Sequence, residues 1–84
     1  MAKRRLKLNE LRRILASFGV TEDKKRGKGS HTTFVKQFPE EPKPRIYSMP
    51  SRKDVLPCYV KDCRRRFRLT PEDGVTDEDF YGRK

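Results

Sequence analysis

Basic charge, backbone freedom and a titratable base meet in one stretch of this 84-residue chain, Lys24 to Phe34, reading KKRGKGSHTTF. Lys24, Lys25, Arg26 and Lys28 offer positive charge to a polyanion. Gly27 and Gly29 permit positive φ and let a bulky ligand come close to the main chain. Ser30 can donate or accept a hydrogen bond. His31 is the only histidine, and imidazole is the one side chain whose unperturbed pKa lies near neutrality. Phosphate attraction and proton transfer therefore sit side by side. The same stretch also reads as a solvated basic turn between two elements, so the rest of the chain has to decide what it is for.

The global charge favours a polyanionic partner. The chain holds 22 Lys and Arg against 12 Asp and Glu, a net charge of +10 and a pI of about 10.1. The balance is uneven: residues 1–68 carry 20 basic and 7 acidic side chains, whereas residues 69–84 carry 2 and 5. Such a body suits nucleic acid, an anionic surface or an acidic protein. The basic MAKRR start reads as loose phosphate contact or disorder. No apolar run has the length of a membrane span or a signal-peptide core, so the chain reads as soluble and cytoplasmic with no membrane partner. Cys58 and Cys63 have a C-x4-C spacing that is no usual zinc pattern, and they read as reduced thiols with Cys63 buried. No metal site is expected.

The elements that must position this stretch follow from periodicity. Leu8, Leu11, Ile14, Leu15 and Phe18 recur at spacings of three and four, which puts them on one face of a helix from about Asn9 to Phe18, with Asn9 as N-cap and Gly19 as stop. Val20 to Arg26 is a weak candidate strand. His31 to Phe38 is a better one, with Phe34 and Phe38 on one face and His31, Thr33 and Val35 on the other. The Pro39–Pro44 stretch reads as a loop. Arg45 to Met49 follows as a short strand pairing antiparallel with the previous one, with Ile46 in the core and Pro50 ending it. A second helix begins near Pro57, burying Leu56, Val60, Cys63 and Phe67 and turning Arg64, Arg65, Arg66 and Arg68 outward. Thr70 to Gly74 breaks it. The expectation is one α+β domain over residues 1–84 in the order α-β-β-β-α, a three-stranded antiparallel sheet with two helices on one face. Its compact part spans about residues 7–69, and residues 70–84 form an acidic, mobile tail in which Phe80 and Tyr81 are available for docking on the body or on a partner.

The amphipathic helix closing on Phe18-Gly19-Val20, the Gly29-Ser30-His31 loop leading into a strand, and Met49-Pro50 ahead of a Pro57-initiated helix resemble the HicA-type (YcfA-like) toxins of bacterial and archaeal toxin–antitoxin pairs. The resemblance covers about residues 7–80. It implies a fold similar to a double-stranded-RNA-binding domain, endoribonuclease activity on mRNA, a HicB-like antitoxin as partner, His31 as the functional histidine, and no metal or other cofactor. The chain departs from the pattern at Thr32, where many relatives carry a second histidine, and at Arg52, where another stands.

On the nuclease reading His31 is the general base. Lys24, Lys25, Arg26, Lys28, Gly29, Ser30, Arg52 and Lys53 bind RNA, and Lys28, Tyr47 and water are the candidate acids. On a second reading the same cations make a non-catalytic RNA-binding module. A third, a structural partner of an acidic protein, accounts for the charge but not for Gly-Ser-His at a strand entrance.

Overall fold

The structure, a computed structural model, describes residues 6–26 and 29–83. Lys28 and the basic start at residues 1–5 lie outside the described residues. Strand β1 (Leu6–Lys7) leads into helix α1 (Leu8–Ser17). Strands β2 (Thr21–Glu22), β3 (His31–Lys36) and β4 (Arg45–Pro50) follow, then strand β5 (Asp54–Val55), helix α2 (Pro57–Arg66), a 3-10 turn (Pro71–Asp73) and helix α3 (Asp77–Tyr81). Strands β2, β3 and β4 form one antiparallel sheet in that order, and β1 pairs with β5 in a separate two-stranded ladder. The protein is thus a small α+β fold with a three-stranded antiparallel sheet. Among the described residues no helix is long and apolar enough to cross a membrane.

Helix α1 forms where its apolar stripe demands, with Leu8, Leu11, Ile14 and Leu15 buried. Its N-cap is Lys7 rather than the expected Asn9: the Glu10 carboxylate accepts from the Lys7 backbone N–H at 3.0 Å. Asn9, already helical, instead accepts from Arg12. Gly19, at φ +83°, ends the helix in the left-handed region that glycine tolerates. The Lys36 ammonium then donates to the Phe18 carbonyl at 2.8 Å.

The parity of the sheet decides what faces where. Ser51 N–H donates to the Ser30 carbonyl at 2.5 Å, so Ser30 and Ser51 are a hydrogen-bonded pair. In an antiparallel ladder such pairs alternate with non-bonded ones. His31 opposite Pro50, Thr33 opposite Ser48 and Val35 opposite Ile46 are therefore non-bonded pairs with closely spaced side chains. The 2.8 Å contact between the Thr33 and Ser48 hydroxyls agrees. Thr32, Phe34, Tyr47 and Met49 take the other face. There Phe34 and Met49 join Leu11, Ile14 and Leu15 of α1, Val60 and Cys63 of α2, and Phe67 at its C-terminal cap in one core. Ile46, expected in that core, lies on the outer face and is half-buried.

The same parity points Ile46, Ser48 and Pro50 toward the free edge of β4. Arg66 Nε donates to the Ile46 carbonyl at 3.1 Å, and Pro50 has no N–H to offer.

The C-terminal segment differs from the expected mobile tail. Phe80 is fully buried and stacks on Phe18 with ring centroids 6.0 Å apart, while Tyr81 meets Phe80 edge-on. Arg64, expected to face outward, is 7 % exposed. Its guanidinium donates to the Leu69 and Val75 carbonyls and to Asp77, and it sits 4.6 Å from the centre of the Phe80 ring. The compact part therefore continues to Tyr81. The two thiols are free: Cys58 is exposed, and burial pushes the Cys63 thiol up to about 12.

Candidate nucleic-acid interface

His31 opens β3 with its imidazole exposed on the sheet face away from the helices. That placement follows from Gly29, whose φ of +62° turns the chain into the strand. Its cross-strand neighbour is Pro50, a small apolar contact that cannot compete for its ring nitrogens. Ser30 Oγ lies 3.4 Å from His31 Nδ1. Around the ring the outer face carries Thr21, Thr33, Val35, Ile46, Ser48 and Pro50 on the paired strands, with Asp23 opposite Thr33 just past the end of β2.

The loop from β4 to β5 is tied to the His31 hairpin twice. One tie is the Ser51–Ser30 backbone bond. The other is a 2.5 Å contact between the Ser51 and Thr32 hydroxyls on the helix side of the sheet. Gly29-Ser30-His31 and Ser51-Arg52-Lys53 thus lie alongside each other. Arg52 and Lys53 precede the second helix in the chain. They flank the start of the first, where the Lys53 carbonyl accepts from Leu8 N–H at 2.9 Å.

Between these elements runs an open groove of about 330 Å³ lined by Lys7, Leu8, Asn9, Arg12, Ser51, Arg52 and Lys53. The sequence reading missed Lys7, Asn9 and Arg12. They reach the site only because two-residue strands β1 and β5 pair, a signal too short for periodicity to detect.

The third group, Lys24, Lys25 and Arg26, follows β2 at the same end of the sheet, where Asp23 N–H donates to the Thr33 carbonyl at 2.8 Å. Asp23 organises it by accepting from the backbone N–H of Lys25 and of Arg26 and from Arg26 Nε. Desolvation pushes the Asp23 carboxyl up, but those N–H groups and the Arg26 guanidinium outweigh it and hold the pKa below its ordinary value. Arg26 is therefore folded back on Asp23. Lys24 and Lys25 are exposed, as are Arg52 and Lys53, and none of the four has an ion pair among the described residues. Lys7 and Arg12 are partly engaged, with Asp54 at 3.7 Å and Glu22 at 2.8 Å.

Tyr47, a candidate acid in the sequence, does not reach His31. It pairs with Phe34, three residues along β3, which places it on the opposite face and roughly 10 Å along the strand at about 3.3 Å per residue. Burial pushes its hydroxyl up to about 12. Among the described residues, no three His, Cys, Asp or Glu side chains come together as a metal centre would require. The arrangement can attract phosphates from two sides and present one imidazole between them. The chain matches no protein-family model, no curated protein and no solved structure.

Proposed function

We propose that this protein is a metal-independent endoribonuclease that cuts mRNA, the toxin of a toxin–antitoxin pair, with His31 as its general base. The observation that carries this reading is the exposed imidazole of His31 at the one end of the sheet where Lys24, Lys25, Arg52 and Lys53 have no ion pair among the described residues. The run α1-β2-β3-β4-α2, with both helices on one core face, supports likeness to a double-stranded-RNA-binding domain. The outer face of the sheet beside His31 is the surface a HicB-like antitoxin would cover.

In the reaction, neutral His31 takes the proton of a ribose 2′-hydroxyl. The 2′-oxygen attacks the adjacent phosphorus, the bond to the 5′-oxygen breaks, and that oxygen takes a proton from water. The products are a 2′,3′-cyclic phosphate and a 5′-hydroxyl, and the imidazolium returns its proton to solvent. Ser30 near Nδ1 leaves Nε2 to face the ribose. The cations and the N–H groups of the hairpin offset the charge that builds on the phosphoryl oxygens.

Labelled RNA incubated with the protein in EDTA should be cut. His31→Ala should slow cutting by at least about 10²-fold, the lower range of general-base contributions, while RNA binding persists. A substrate with 2′-deoxyribose should resist. Undiminished cleavage by the variant would defeat the role of His31. A second reading, a non-catalytic RNA-binding module, is favoured by one observation: among the described residues no second proton-transfer group is hydrogen-bonded to the ring. Binding without fragments from the wild-type protein would select it.

A further inference from the structure

The groove and the imidazole lie on opposite sides of the same strand end, and this restricts what can occupy both. Ser51 projects its hydroxyl to the helix side, where it meets Thr32. His31 projects to the other side, with the hydrogen-bonded Ser30–Ser51 pair forming the ridge between them. Among the described residues the groove lining holds four cations, Lys7, Arg12, Arg52 and Lys53, two neutral hydrogen-bonding side chains, Asn9 and Ser51, and no carboxylate. Concave, cationic and without an acid in its wall, it fits a chain of phosphates.

We infer that the groove holds the phosphates flanking the scissile nucleotide of an unpaired RNA strand that bends over the Ser30–Ser51 ridge, so that the substrate is single-stranded rather than duplex. The choice of substrate rests on the nuclease reading; the assignment of the groove does not. A single strand can turn at each nucleotide, leaving a 2′-hydroxyl at His31 while neighbouring phosphates descend on the far side of the ridge. An A-form duplex holds its phosphates on a rigid helical path, and it keeps each 2′-oxygen out of line with the bond it would have to break.

The test uses a short fluorescent RNA strand with 2′-O-methyl riboses, which cannot be cut, alone and annealed to its complement. Binding is followed by anisotropy across a range of salt. The full-length wild-type protein should bind the strand more tightly than the duplex. Arg52→Ala with Lys53→Ala should flatten the slope of log K against log salt for the strand by about 1.4, two phosphates at roughly 0.7 each. The Lys53 carbonyl that accepts from Leu8 is retained, and unchanged circular dichroism should show the fold intact. Lys43→Ala with Lys61→Ala removes equal charge elsewhere and should leave the slope as it was.

Duplex bound as tightly as strand would overturn the substrate choice. Equal slopes for the two double variants would overturn the groove. If the slopes behave as stated but an unmodified strand is bound and left uncut, the groove assignment stands and the nuclease reading falls.

Discussion

Where β3 finishes and β4 begins, Lys36, Arg45, Arg66 and Arg68 each donate to a carbonyl or carboxylate of the fold. Lys36, Arg45 and Arg68 also crowd the Phe38 ring at 4.8 to 5.3 Å. At the opposite end, where β3 begins and β4 finishes, Lys24, Lys25, Arg52 and Lys53 stand in solvent. The residue types are the same, and the difference lies in what can reach them. Glu40 and Glu41, carried by the Pro-rich loop, hold Arg45 and Arg68, and the Phe18 and Ile46 carbonyls hold Lys36 and Arg66, so this set of cations is scaffold. Among the described residues no carboxylate forms an ion pair with the side chains of the other set, so their charge stays open to a partner. Net charge alone does not distinguish these two uses.

The contrast can be broken most severely through the C-terminal segment. Phe80→Ala removes a fully buried ring from between Phe18, Tyr81 and Arg64, and should cost about 3–5 kcal/mol in a urea melt. An unchanged midpoint would mean that the segment is not part of the folded body. Arg64→Met comes next, at about 2 kcal/mol. It keeps packing volume but leaves the Leu69 and Val75 carbonyls without their donor, while Asp77 is exposed enough to recover water.

Acid should act on the same end, and its sign follows from Glu41 and Asp73. The hydrogen bond from Arg45, against some desolvation, holds Glu41 below its ordinary 4.5, and the Thr70 hydroxyl does the same for Asp73 relative to 3.8. Groups whose folded pKa is depressed contribute stability above the unfolded value and lose it as pH falls through the folded one. The melting temperature should therefore be flat near neutrality and fall below about pH 4.5. A melting temperature that rises there would contradict the network.

The smallest effect belongs to the other end. Lys24→Ala with Lys25→Ala should change stability by no more than about 0.5 kcal/mol, as for exposed side chains without partners, while flattening the salt dependence of RNA binding. A large loss of stability would show that this end too is scaffold.

What the sequence made legible was local. The α1 stripe, the Gly19 stop, the His31 strand and the Pro57 start each announce themselves within a few residues, through period, cap or ring geometry. What escaped depended on partners distant in the chain. Arg68 sits at φ +56°, a position where glycine is the usual occupant, and is held there by Glu40 and Glu41. Arg64 looked like one more solvated arginine because Val75 and Asp77, two of the three groups it donates to, belong to a segment read as mobile. Ile46 was placed in the core because an aliphatic residue in a short strand gives no parity; the Ser30–Ser51 bond does. At the site, His31, Ser30 and the cationic turns were visible as motifs. The groove was not, because Lys7 and Lys53 are neighbours only through the pairing of β1 with β5.

The outer border of β4 has one further outcome. With Ile46 stoppered by Arg66 and Pro50 lacking a donor, Ser48 alone of Ile46, Ser48 and Pro50 has both backbone groups unbonded among the described residues. One such rung is too little to template cross-β growth from that margin. Concentrated solutions of the folded chain should accordingly resist fibre formation at this border, even without a partner to shield it.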